Sequence, residues 1–397
     1  MKRSKLLMIT YEEFPSYIGL STRVKGLAVA LKSECWDVSI AAPCYSLDQL
    51  KVSACEGIVI HQIAMPNILK NIKIPILGRL CFTFVFTLYI IKYFQGKEFK
   101  FDYIQSEQIY SFGGSFIIAK KKRAKFIFDD PSVLSHFIRE KVGRKILGKL
   151  LECICDWGEA LVYGLPDYII CSSHRMADHF TKISCGKKLV VLCVPNGITK
   201  GKEKLIAFDQ RELNNNIFFN CSLPYYQNLA ALKNVVNIVK YFDDVNFTDY
   251  KLSIVLNNTS MLPEEFHDFF IKKKQISVLS KVPDLGLVMA GADFIVLPFE
   301  RGHFSTGGIR LKALEGLISG RLVLSTSEGV DGIQGLEHNK NFILCSDWLD
   351  MANKLRHLIL DKESTLRESQ IIANNARDLM MNYYTWDKLI DDYKALT

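Results

Sequence analysis

The sequence predicts an α/β protein of two Rossmann-like domains, each a parallel sheet with helices on both faces. Three observations carry this. Short apolar runs alternate with helical periodicity along most of the chain. The alternation breaks once, in a polar stretch over 199–216 rich in Lys, Glu, Asp and Asn, and then restarts. At 397 residues the chain exceeds one ordinary core. Domains are therefore expected at 1–198 and 199–380. Ligands of open α/β sheets bind beyond the carboxyl ends of the strands. Two such domains facing each other would enclose a cleft, one holding a nucleotide and the other an acceptor.

In the first half, 6–10 is a strand and 11–19 a loop carrying Pro15 and Gly19. Ser21 is expected to cap a helix running to about Ser33, with Val24, Leu27, Ala28 and Leu31 on its apolar face. Further strands are expected at 38–42, 58–60, 103–105, 126–128 and 168–171. Residues 80–94 are apolar almost all round, bounded by Arg79 and broken by Lys92. That length falls well short of the ~20 residues of a spanning helix. It fits a buried or interfacial helix, and partial burial is the expectation. The strand at 189–194 ends in the turn Pro195-Asn196-Gly197.

In the second half, strands are expected at 217–219, 251–256, 276–279, 294–297 and 322–324, with a helix near 227–240 and a helical tail over 364–396. The segment 292–318 is the most informative. A continuous apolar run is stopped by Pro298, a glycine-dotted loop follows, and Ile309, Leu311, Leu314, Leu317 and Ile318 fall at helical spacing. A helix N-terminus presented by such a loop offers unpaired N–H groups to a phosphate. Lys312 lies in the first turn. Glu315, three residues on, shares its face and could accept hydrogen bonds from a ribose diol. The same residues also fit an ordinary surface Lys and Glu beside a glycine turn.

The net charge of +8 is uneven: residues 1–199 carry +10 and residues 200–397 carry −2. The basic groups cluster over 120–125 and 139–149. A solvated basic face, an anionic membrane or a polyanionic substrate would each account for them. No nucleic-acid motif accompanies them. The 11 cysteines are scattered, without a C-x-x-C pair, as expected of reduced thiols in a cytoplasmic protein. Lys2, Arg3 and Lys5 precede only a strand-length apolar run, so no secretory signal is read there.

Four stretches in this order resemble the GT-B glycosyltransferases of the retaining family 4, or group 1, type. They are 8–31, with Phe14-Pro15 and Gly19 to Arg23; Val194-Pro195-Asn196-Gly197-Ile198; Leu223 with Tyr225, Tyr226 and Asn228; and 282–333, with Ala292-Asp293, Leu297-Pro298, the Arg310 to Leu317 run, Gly320 and Gly329 to Ile333. The resemblance spans nearly the whole chain. It implies an N-terminal acceptor domain, a C-terminal nucleotide-sugar domain, and a helix at about 380–397 packing back on the first. Lys312 would contact the donor diphosphate, assisted by Arg310, and Glu315 would hold the ribose hydroxyls. Gly307 and Gly308, with Ser305, Thr306 and Ser222, would approach sugar and phosphates. Gly19 and Arg23 would lie at the acceptor side. Asp129, Asp130 and His136 join them there because they follow a predicted strand, with Asp130 as the catalytic candidate; turn capping before Pro131 would equally explain the two aspartates. His303 is a weaker candidate for sugar contact.

The implied partners are a nucleotide sugar, a glycan or lipid-linked acceptor, and an anionic membrane bound peripherally from the cytoplasmic side, with no nucleic acid. No D-x-D motif lies near the nucleotide site, so a metal-independent enzyme without cofactor is expected. Two positions depart from the family pattern. Gly307 stands where an acidic residue often precedes the ribose-binding Glu by eight positions. Asn220-Cys221-Ser222-Leu223 lacks the usual Gly-Arg, with Lys233 the nearest downstream cation. These admit a non-catalytic nucleotide-sugar-binding scaffold. A nucleotide-sugar 2-epimerase shares the architecture but fits the Pro-Asn-Gly-Ile turn and the Arg310–Glu315 pattern less well. The absence of Gly-x-Gly-x-x-Gly after the first strand disfavours a dinucleotide oxidoreductase.

Overall fold

The computed structural model describes residues 3–16, 19–34, 36–46, 54–67, 75–96, 98–129, 156–183, 190–199, 213–223, 226–280, 282, 285–300, 308–394 and 396. They form two compact units, one of residues 1–197 with 304–308 and 386–397, the other of 198–303 with 309–385.

The first unit is built on an eight-stranded sheet of β1 (Ser4–Thr10), β2 (Trp36–Cys44), β3 (Ala54–Cys55), β4 (Ile58–Ala64), β5 (Tyr103–Glu107), β6 (Lys125–Asp129), β7 (Tyr168–Cys171) and β8 (Val190–Cys193). Their order is β3-β4-β2-β1-β5-β6-β7-β8, parallel except for the β3–β4 hairpin. From β1 the chain winds one way to β2 and β4, then returns to β5 on the other side, so the topological switch point lies between β1 and β5. β1, β6 and β7 are near-continuous apolar runs because both faces are covered. One face packs helix Gly19–Ser33 and the C-terminal residues Trp386, Ile390 and Tyr393. The other packs helices Pro75–Gln95 and Ile109–Lys122.

The expected face of helix Gly19–Ser33 is buried: Val24, Leu27, Ala28 and Leu31 are all fully covered. Its start differs from expectation. Ser21 lies inside the helix rather than capping it, because the preceding loop folds back and the Ser16 N–H donates to Ser21 Oγ at 2.9 Å. Helix Pro75–Gln95 is partly buried as expected, with Phe86, Ile90 and Phe94 covered and Phe84 and Leu88 exposed. It lies close against helix Ile109–Lys122, where a Cβ at Gly114 would meet the Ile90 side chain at 2.7 Å. Among the described residues no helix is long and apolar enough to cross a membrane.

The second unit carries a six-stranded parallel sheet: β9 (Asn216–Cys221), β10 (Lys251–Leu256), β11 (Ile276–Ser280), β12 (Phe294–Leu297), β13 (Leu322–Thr326) and β14 (Ile343–Cys345), ordered β11-β10-β9-β12-β13-β14. Here the switch point falls between β9 and β12, which pair in parallel. The Asp293 carboxylate fixes the entry to both strands, accepting from the N–H groups of Asn214 and Asn216 at 2.9 Å each. The expected helical tail is three pieces: Lys362–Tyr383, Trp386–Leu389 and Asp391–Lys394.

Candidate functional site

In the second unit the chemistry gathers at the carboxyl ends of β9, β12 and β13, the position open α/β sheets use for ligands. β12 stops at Leu297 before Pro298 and Phe299, and helix Leu311–Ile318 begins directly after Arg310. Lys312 is thus in the first turn. Its Nζ crosses to the end of β9, donating to the Asn220 carbonyl at 3.3 Å and to Asn228 Oδ1 at 2.9 Å. Asn228 in turn donates to the Ser222 carbonyl at 2.6 Å, and Asn257 grips both backbone groups of Leu223. The loop after β9 is therefore held from two sides.

Arg310 and Lys312 share the Phe299 ring, at 4.7 and 5.0 Å from its centroid. An aromatic face stabilises both cations where little water reaches them. Burial pushes Lys312 down to about 8, helped by the positive Arg310 and opposed by Cys221 and Glu315. Burial pushes the Cys221 thiol up to about 11, against the pull of Lys312. Arg310 is also anchored by a residue that sequence reasoning did not single out. Its Nη2 lies 2.7 Å from Glu328 Oε1 and 3.2 Å from Gln227 Oε1, and its Nη1 donates to the Glu328 carbonyl. Glu328 is buried in the 3₁₀ turn that follows β13. A Cβ on the next residue, Gly329, would meet the Leu297 carbonyl oxygen at 2.7 Å, so the turn packs directly on the end of β12.

Glu315 lies one turn beyond Lys312 on the same helix, part-buried. Ser222 follows β9 and Gly308 precedes the helix. Lys233, the downstream cation, is exposed. Ser305, Thr306, Gly307, His303, Asp130 and His136 lie outside the described residues, as does the basic cluster 139–149.

In the first unit, Gly19 opens its helix, and Arg23 and Asp129 are brought together 106 residues apart in sequence. Nε and Nη2 of Arg23 meet the two carboxylate oxygens of Asp129 at 2.9 and 3.0 Å. The same guanidinium donates to the carbonyls of Val194 and Pro195 and to Asn196 Oδ1. With side chains 2% and 0% exposed, neither residue offers a polar atom to a ligand in this structure. Their geometry is that of a buried bidentate pair holding the Pro195-Asn196-Gly197 turn. Beside them, at the switch point, the Glu107 carboxyl is also fully buried. It accepts from Gln105 Nε2 at 2.6 Å, and Gln105 accepts from the Tyr393 hydroxyl at 2.9 Å. Burial and the adjacent Asp129 hold Glu107 well above the usual carboxylate range. Its place at the end of a predicted strand was the signal available in the sequence.

Residues 214–361 match the family model described as glycosyl transferases group 1. The match falls almost wholly within the second unit. The whole chain has the GT-B fold. It is similar over 99% of its length to 98% of sucrose-phosphate synthase from Thermosynechococcus elongatus, with a TM-score of 0.71 at 12% identity. HepE of Anabaena, solved with UDP-glucose, matches over 99% of this chain and all of its own at 0.65 and 12%. The catalytic domain of starch synthase IV from Arabidopsis thaliana, bound to ADP and acarbose, matches over 99% and 98% at 0.63 and 13%. No curated protein matches the chain by sequence.

Proposed function

We propose that this chain is a glycosyltransferase of the group 1 type that transfers a sugar from a nucleotide-sugar donor to a glycan or lipid-linked acceptor, with retention, in the synthesis of cell-surface polysaccharide or glycoconjugate. The observation that carries the reading is the pair Arg310 and Lys312, set on one aromatic ring at a helix N-terminus and at the switch point of the sheet. Departure of a nucleoside diphosphate needs positive charge and oriented N–H dipoles where negative charge develops. Lys312 and the start of its helix supply both, with Arg310 as a fixed second cation. Glu315 is assigned to the ribose hydroxyls. HepE and starch synthase IV, whose structures hold UDP-glucose and ADP, lend the donor class. For retention, the acceptor hydroxyl attacks from the face the leaving group departs from, and the phosphate takes its proton. The protein then contributes positioning more than acid–base chemistry. We assign no metal to the reaction.

The test is hydrolysis and binding across UDP-, GDP-, dTDP- and ADP-sugars, for wild type and Lys312→Ala, with and without EDTA. Slow hydrolysis of one donor, insensitive to EDTA and abolished by Lys312→Ala, supports the reading. Binding without turnover, even with acceptor-containing membrane extract, would instead favour the non-catalytic scaffold that Gly307 admits. Release of an epimerised sugar would identify a 2-epimerase.

The acceptor side is assigned to the first unit, with peripheral contact to anionic membrane from the cytoplasm. Lys120, Lys121 and Arg123 are exposed at the end of helix Ile109–Lys122 and Lys125 at the start of β6, and Phe84 and Leu88 are exposed on the helix packed against it. Co-sedimentation with phosphatidylglycerol vesicles should weaken with salt and with charge reversal at 120–125; insensitivity to both would rule the contact out.

A further inference from the structure

Cys171 and Cys193 occupy partner positions on the parallel strands β7 and β8. Partners in a parallel ladder project to the same face of the sheet, and both residues belong to the same apolar layer. Adjacent strands run ~4.7–4.9 Å apart, inside the Cα range that a disulfide spans. Both are free thiols: Cys171 is buried and Cys193 is part-exposed. Position and access thus divide two roles between them. We infer that Cys193 and Cys171 form a peroxide-oxidisable dithiol, with Cys193 the attacking and Cys171 the resolving sulfur.

The electrostatics agree with that order. The neighbouring Cys171 thiol lowers the Cys193 pKa, Arg23 helping and burial and Asp392 opposing. The neighbouring Cys193 and burial raise Cys171, whose S–H donates to the Ser173 and Leu192 carbonyls at 3.4 and 3.5 Å, so it stays a thiol while Cys193 is reduced. The Cys193 thiolate attacks one oxygen of hydrogen peroxide; the O–O bond breaks, Cys193 becomes a sulfenic acid, and the departing hydroxide takes up the proton that Cys193 had released to solvent. Cys171 sulfur then attacks the Cys193 sulfur, the S–O bond breaks, and water departs with the Cys171 proton. The two thiols lose two electrons in all, and peroxide becomes two waters. The bridge closes at the last rung of the ladder, where the Val194 N–H donates to the Cys171 carbonyl at 2.8 Å. The Val194 carbonyl also accepts from Arg23 Nη2 at 3.0 Å.

The experiment exposes the full chain to a small molar excess of hydrogen peroxide, then alkylates it under denaturing conditions and maps peptides without reduction. The expected result is joint loss of alkylation at Cys171 and Cys193, a bridged peptide two hydrogens lighter than its parts, and recovery of both thiols with dithiothreitol. In Cys171→Ser the reaction should stop at a Cys193 sulfenic acid trapped by dimedone. In Cys193→Ser, Cys171 should remain a thiol. Wild-type Cys193 carrying a stable sulfenic or higher acid beside an alkylatable Cys171 would overturn the inference. So would an unmodified Cys193, or oxidation of Cys171 in Cys193→Ser at the wild-type rate.

Discussion

Arg310 Nη2 lies 2.7 Å from Glu328 Oε1, and this contact joins the start of helix Leu311–Ile318 to the turn after β13. The carboxylate is buried and compensates one of two cations on the Phe299 ring. Glu328→Gln keeps the shape and removes the charge. Losing a charge-assisted bond at a mostly buried arginine costs roughly 1–3 kcal/mol. The variant should therefore unfold at lower urea, with an unchanged m-value. It should also lower the Lys312 pKa further, because Arg310 then acts on it uncompensated. An unchanged urea midpoint would show that Glu328 does not hold Arg310 in solution.

Lys312 itself sets a pH dependence. Its folded pKa of about 8 lies below the ordinary 10.5. Between those values the unfolded chain binds the proton that the native state has released. Stability contributed by this residue therefore rises with pH through that window, and its burial penalty is greatest below pH 8. Lys312→Met should be more stable than wild type in urea at pH 7, and the advantage should shrink by pH 10. An advantage constant with pH would mean that Lys312 is not desolvated.

The same residue gives a signature of donor binding. A bound diphosphate would favour the charged amine and raise its pKa, so nucleotide binding near pH 8 should take up protons. Titration calorimetry of UDP or ADP in two buffers of different ionisation enthalpy reads this directly. Proton uptake seen in wild type and lost in Lys312→Met places the phosphate on Lys312. Binding with no buffer dependence would place it elsewhere.

The parts legible in the sequence are those whose signal is local. Strands buried on both faces read as unbroken apolar runs, and the Lys312 helix announced itself through Pro298, the glycines and the spacing of Ile309 to Ile318. Strands β3 and β14, of two and three residues, are too short to carry a period. The contacts of the site were not legible, because each depends on tertiary distance. Arg310 and Glu328 are 18 residues apart and meet only once β12 and β13 pair. Arg23 and Asp129 are 106 apart, and nothing near Arg23 signals that it is buried. Ser21 was misplaced for the opposite reason: a strong local capping signal was overridden when the loop returned Ser16 to it.

Glu107 carries the pH dependence of the first unit. Its folded pKa is raised, so the native state holds a proton that the unfolded chain releases above about pH 4.5. The stability this provides is complete below that value and is lost as pH rises toward the folded pKa. Glu107→Gln has the same shape, can still accept from Gln105, and never ionises. It should match or exceed wild type at pH 7, with the difference closing toward pH 4. Asp129→Asn should behave oppositely, since it leaves the buried Arg23 without its counter-charge; a loss of about 3–5 kcal/mol is expected at neutral pH. Equal losses in the two variants would contradict a protonated Glu107 beside the Arg23–Asp129 pair.

Trp386 fixes the C-terminal residues to the first unit through two glycines. A Cβ at Gly26 would overlap its indole, and one at Gly197 would meet Trp386 and Leu389 side chains at 2.8 Å. Neither glycine is called for by a left-handed backbone, so the requirement is space alone. Overpacking of a well-filled core costs about 1–3 kcal/mol. Gly26→Ala should lower the thermal midpoint even though alanine is the better helix former by roughly 1 kcal/mol. Trp386→Leu creates room and should be destabilising alone, yet the pair Gly26→Ala with Trp386→Leu should lose less than the sum of the two. That non-additivity, read in a double-mutant cycle, is the specific mark of direct contact. Strict additivity would mean that the C-terminal residues do not pack on Gly26 in solution.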